Sequence, residues 1–71
     1  METEKLKFLL HNDVAQNDIA RIGNALRRVD PDANVSVDLA SRSVVVESWL
    51  MPEEFLVAFA DEDLNAKIIN A

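Results

Sequence analysis

The sequence predicts an α+β fold in the order strand, helix, strand, strand, helix, strand, and three observations carry that expectation. Two segments place apolar residues at helical spacing, four show the alternation or the β-branched enrichment of strands, and the breaks between them fall on proline, asparagine and aspartate.

The first strand is expected at Lys5-Leu6-Lys7-Phe8-Leu9-Leu10, where polar and apolar residues alternate and Leu6, Phe8 and Leu10 would share the inner face. The segment from His11 to Asp18 is polar and turn-prone, and Asp13 with Gln16 three positions on has the form of a capping box, so a helix is expected to begin there. Ile19, Ile22, Leu26 and Val29 then recur at helical spacing, with Arg21, Asn24 and Arg28 on the opposite side. Asp30-Pro31-Asp32 ends this helix, because proline disfavours helical geometry in the residue before it.

Val35, Val37 and Leu39 alternate with Asn34, Ser36 and Asp38, and Ser43-Val44-Val45-Val46-Glu47 follows after a short break, which predicts a hairpin. Pro52 suits the first turn of a second helix, Glu53 and Glu54 suit its positive end, and Phe55, Leu56, Phe59 and Ala60 are expected on one face. Asn65 to Ile69 is short and β-prone and can close the sheet. With right-handed crossovers, this order gives a ferredoxin-like sandwich: one four-stranded antiparallel sheet with both helices on one face. A single domain spanning 1-71 is expected, since 71 residues suffice for one small core.

Composition excludes more than it assigns. There is no cysteine, so thiolate chemistry, disulfides and cysteine zinc sites are out of reach. A net charge of −6 repels nucleic-acid backbones and anionic membranes, and neither is expected as a partner. An RNA-reading sheet would need stacking aromatics, whereas Val45 and Glu47 line one face of the third strand. The start of the chain lacks the pattern of a signal peptide, so a cytoplasmic location is expected. The only glycine, Gly23, lies within the first helix, where close packing is its expected role, and no glycine-rich phosphate loop exists. Serines 36, 41, 43 and 48 and the single His11 have no nucleophile motif around them, so no enzymatic activity is expected.

Two stretches carry possible ligands for a cation. His11, Asn12, Asp13, Asn17 and Asp18 could hold a divalent ion weakly through nitrogen and oxygen; solvated loop and capping residues are the plainer reading. Trp49 and Met51 would add softer contacts only if they lay near His11, and partly buried packing is expected of Trp49. Asp30-Pro31-Asp32-Ala33-Asn34 opens like a calcium loop, but Val35 stands where glycine is needed and Ser41 where a glutamate is needed, so a turn is expected. Asn34-Val35-Ser36 fits a glycosylation sequon by chance. Arg21, Arg27 and Arg28 against Glu53, Glu54, Asp61, Glu62 and Asp63 make two charged faces that could dock on other proteins or on each other, although solvated helices often carry such charge.

Leu6, Phe8 and Leu10 before a polar loop, Ile19-Ala20-Arg21-Ile22 with Ala25-Leu26, Asn34 to Leu39, Ser43 to Val46 and Pro52-Glu53-Glu54-Phe55 carry a resemblance over nearly the whole chain. From Lys5 to Ile69 it resembles the heavy-metal-associated domain, the family of small copper chaperones and of N-terminal domains on metal-pumping ATPases. In that family a Met-Thr-Cys-x-x-Cys loop before the first helix binds copper(I) or another soft ion. The resemblance maps the two cysteines onto Ala15 and Asp18, the methionine onto Asp13, and a Gly-Tyr pair before the last strand onto Asp63-Leu64. It therefore implies a copper-chaperone-like domain that has lost its thiolates and serves as a protein-interaction or regulatory module, as a monomer or weak homodimer, with no cofactor. The alternative is metal-ion binding or transport through His11, Asp13 and Asp18, for zinc or nickel rather than copper(I). A third reading is a small-molecule sensor of the same topology.

Overall fold

The computed structural model describes residues 3–69. The elements follow in the expected order: β1 (Glu4–Leu10), α1 (Asp18–Val29), β2 (Asn34–Asp38), β3 (Ser43–Ser48), α2 (Pro52–Asp61) and β4 (Ala66–Ile69). They form one sheet of order β2-β3-β1-β4 in which every neighbouring pair is antiparallel. Thus β1 and β2 run in the same direction with β3 inserted between them, and α1 makes the crossover; α2 makes the corresponding crossover from β3 to β4. The ferredoxin-like sandwich is the observed fold.

Strand alternation divides the sheet into two faces. Leu6, Phe8, Leu10, Val35, Val37, Val44, Val46, Ala66 and Ile68 belong to or pack on the core beneath the helices. Ile22, Leu26, Phe55, Ala58 and Phe59 supply the helical side of it, and Ala33 and Leu64 close its ends. Phe8 is the centre: its ring meets Phe59 at 5.1 Å and Phe55 edge-on at 6.3 Å, so one β1 residue clamps α2 to the sheet. Ala60, expected on that buried face, is exposed, and Ala58 takes its place because it lies nearly one helical turn from Phe55.

The start of α1 also differs from expectation. Asp13 and Gln16 do not cap a helix; the chain runs irregularly to Asn17, and α1 begins at Asp18. The cause is the turn at 15–18, in which the Asp18 and Ile19 amides donate to the Ala15 and Gln16 carbonyls. At α2 the sequence signals hold: Pro52 opens the helix, and the Glu54 carboxylate accepts a hydrogen bond from the Met51 amide at 3.1 Å. Its other end is acidic, with no basic residue in the last turn. Arg21 of α1 serves that end instead, donating to the Glu62 carbonyl at 3.2 Å where the helix dipole is negative.

Gly23 is buried, but the space above it is filled by a flexible side chain: a methyl group there would lie 3.2 Å from the Arg27 guanidinium. The expected close packing is that of a side chain folded back over its own helix.

Candidate functional site

Residues 11–17 join β1 to α1 at one end of the sheet, beside the β2–β3 turn and the segment that leads into β4. Three hydrogen bonds fix the start of this loop. The Leu10 amide donates to the Arg42 carbonyl at 2.8 Å, the His11 amide to the Asn65 carbonyl at 2.9 Å, and the Asn65 amide to Asn12 Oδ1 at 2.7 Å. Asn12, a candidate ligand by sequence, is thus a staple between segments 53 positions apart.

Ala15 and Asp18 are bound to each other. The Asp18 amide donates to the Ala15 carbonyl at 2.9 Å, and the Ala15 amide donates to Asp18 Oδ2 at 3.0 Å. This reciprocal pair spans one helical turn, which brings positions 15 and 18 to the same side of the loop. The carboxylate at 18 occupies itself with backbone and with Arg21, whose guanidinium lies 3.2 Å from Oδ1.

The other expected donors are dispersed. Asp13 has a fully exposed side chain with Arg42 at 3.5 Å, and His11 is exposed. Among the described residues, no three His, Asp or Glu side chains converge so as to hold a metal ion. Both Asp13 and Asp18 face an arginine, and a carboxylate neutralised by a guanidinium offers little to a hard cation.

Trp49 and Met51 lie at the opposite end of the molecule. They line a cleft of about 400 Å³ with Glu4, Lys5, Leu6 and Ile69, at the start of β1 and the end of β4. The seven residues of β1 separate this cleft from His11, which is about 20 Å of extended chain. Trp49 is 53% exposed rather than packed, and Met51 is 63% exposed.

The charged faces of the two helices satisfy each other in part. Arg21 and Arg28 reach the Glu62 carboxylate at 3.7 and 3.8 Å, so part of the charge read as outward-facing links α1 to α2. The groove between the helices is about 140 Å³, smaller than the roughly 300 Å³ of ordinary small-molecule sites. Three of the four serines are also engaged elsewhere: Ser48 donates to Asp30, and Ser41 pairs with Ser43 at 2.7 Å.

Two features escaped the sequence reading. Asp30, read only as a helix end, is 5% exposed and accepts a 2.6 Å hydrogen bond from Ser48. Its other oxygen accepts from the Asp32 amide, which explains why the 30–34 segment is a turn. Secondly, all three lysines stand on the sheet face that carries no helix: Lys5 and Lys7 on β1 and Lys67 on β4 alternate with the core-facing Leu6, Phe8, Ala66 and Ile68. Alternation in β1 foretold this for Lys5 and Lys7, but only the strand order brings Lys67 beside them.

Fold and loop together define the class: a ferredoxin-like βαββαβ domain whose loop before the first helix has no cysteine, with a fold similar to that of several solved metal-binding domains and chaperones. Among solved structures, the N-terminal domain of ZntA in its apo form matches at a TM-score of 0.85, covering 99% of this chain and 97% of that chain at 14% identity. A gold binding protein matches at 0.83, covering 90% and 98% at 20% identity. The copper chaperone Atx1 from Synechocystis PCC6803, in its Cu2 form, matches at 0.76, covering 86% and 97% at 26% identity. No protein-family model and no curated protein sequence matches the chain. No helix among the described residues is long and apolar enough to cross a membrane.

Proposed function

We propose that this protein is a heavy-metal-associated-type domain that has given up copper(I) carriage and acts by binding another protein. The observation that carries this reading is the loop itself. Positions 15 and 18 retain the one-turn juxtaposition that two thiolates would need, yet they hold a methyl group and a carboxylate bonded to the loop's own backbone. Soft copper(I) selects thiolates, so neither residue can receive it by ligand exchange. Binding of a protein is supported by the exposed Trp49 and Met51, residue types enriched at the centres of protein interfaces. No catalytic role is proposed.

Anaerobic titration with copper(I) against a competing chelator tests the first half. Weak or unsaturable uptake is expected, and one-to-one binding tighter than about 1 μM would overturn the reading. The companion experiment restores the motif with Ala15→Cys and Asp18→Cys. High copper(I) affinity in the double variant is the expected result, because the loop already brings the two positions together. If a folded double variant gains none, the assignment of positions 15 and 18 is wrong.

A further inference from the structure

The helix-free face of the sheet separates its charges into two halves, which meet only at the cross-strand neighbours Lys5 and Glu47. Alternation and register arrange its residues in three rows across the strands. The first is Asn34, Glu47, Lys5; the second is Ser36, Val45, Lys7, Ile69; the third is Asp38, Ser43, Leu9, Lys67. The β1–β4 half therefore holds Lys5, Lys7 and Lys67, and the β2–β3 half holds Glu47 and Asp38. Among the described residues, none of these five forms an ion pair with another side chain, and this includes the cross-strand neighbours Lys5 and Glu47. Val45 and Leu9 on the two central strands and Ile69 on the β4 edge are half-buried apolar residues of this face.

We propose that this face binds a second copy of the chain, sheet against sheet, about a two-fold axis parallel to the strands. Such an axis keeps the rows in step and reverses the strand order, so β1 lies over β3 of the other copy and β4 over β2. Lys5 then faces Glu47 of the second molecule in the first row, and Lys67 faces Asp38 in the third. Each contact occurs twice, as a closed two-fold interface requires. The other face-to-face arrangement, with the axis across the strands, stacks Lys7 on its own symmetry mate, and like charges at that distance repel. The charge pattern thus selects one geometry.

Size sets the strength. Four strands about 4.8 Å apart and about five residues long present roughly 300 Å² of flat area, well under the ~800 Å² per partner of a standard interface. The dimer is accordingly weak, dissociates on dilution and weakens with salt. This inference stands apart from the copper reading, which concerns the opposite, loop end of β1 and is tested by different variants.

Sedimentation equilibrium of the full chain from about 10 μM to about 1 mM is the first measurement, with dimer expected at the upper end and monomer at the lower. The decisive one uses two variants, Lys5→Glu and Glu47→Lys, each confirmed as folded by circular dichroism. Each alone sets like charges face to face and is expected to weaken self-association at least tenfold. Mixed one to one, they restore complementary pairs and are expected to form a heterodimer of near wild-type affinity. Because the like-charged neighbours within each chain persist in the mixture, an effect on folding alone predicts no recovery. A wild-type chain that stays monomeric at about 1 mM overturns the proposal, as does failure of the mixture to associate. Binding of an acidic peptide to Lys5, Lys7 and Lys67 without dimerisation overturns it too, in favour of an acidic partner.

Discussion

The Asp30–Ser48 hydrogen bond is the sharpest test of what holds this small fold together. Both side chains are buried, at 5% and 1% exposure, and their 2.6 Å separation falls within the range of hydroxyl-to-carboxylate bonds. Ser48 Oγ also accepts the Leu50 amide at 3.1 Å, so one hydroxyl links the end of α1 to the segment that enters α2. Replacing Ser48 with alanine removes a hydrogen bond to a carboxylate worth about 1.5–3 kcal/mol and leaves a buried oxygen without that partner. Loss of the Leu50 acceptor adds about 0.5–1 kcal/mol. The sum, about 2–4 kcal/mol, is a large part of the roughly 4–10 kcal/mol available to a chain of this length. With a urea slope of about 1 kcal/mol/M, the denaturation midpoint should fall by about 2–4 M. Far-ultraviolet circular dichroism is the readout, since the exposed Trp49 is a poor reporter of the core. A double-mutant cycle with Asp30→Ala isolates the pair, and a coupling of about 1.5 kcal/mol or more is expected. A single-variant cost below about 0.5 kcal/mol, or a coupling near zero, would refute the reasoning.

Arg42 and Asp63 adopt positive φ, 54° and 58°, where a side chain other than glycine's is disfavoured. Arg42→Gly should raise stability by up to about 1 kcal/mol and Asp63→Gly by less, because aspartate enters this region more readily; thermal melts of each variant would show it. Glu62→Gln weakens the ion pairs to Arg21 and Arg28, which are partly exposed, so its cost should stay under about 1 kcal/mol and shrink further in 1 M salt. Phe8→Ala empties the centre of the core at a cost of about 3–5 kcal/mol, enough to leave little folded chain at 37 °C by circular dichroism.

The local physics of the chain determined its element order without help from the fold. Alternation in β1, the β-branched runs of β2 and β3, Pro31 after α1 and Pro52 at the start of α2 each act over a few residues, and the observed boundaries, the start of α1 excepted, follow them closely. Absence of cysteine likewise needs no coordinates, and it excludes thiolate ligation at positions 15 and 18. What depended on contacts between distant segments was invisible. Asp13 looked like a helix cap because its spacing to Gln16 is right, but the turn closed by Ala15 and Asp18 delays the helix and leaves Asp13 to Arg42. Asp30 looked like a helix end until burial brought Ser48 to it across 18 positions. Charges on α1 and α2 looked outward until packing joined two arginines to Glu62. Lys67 stands beside the β1 lysines only because β4 pairs with β1, a neighbour relation set by the crossover of α2 and by no local pattern. Sequence spacing specifies which face of an element a residue occupies; the pairing of elements, driven by burial of the shared core around Phe8, decides what that face meets.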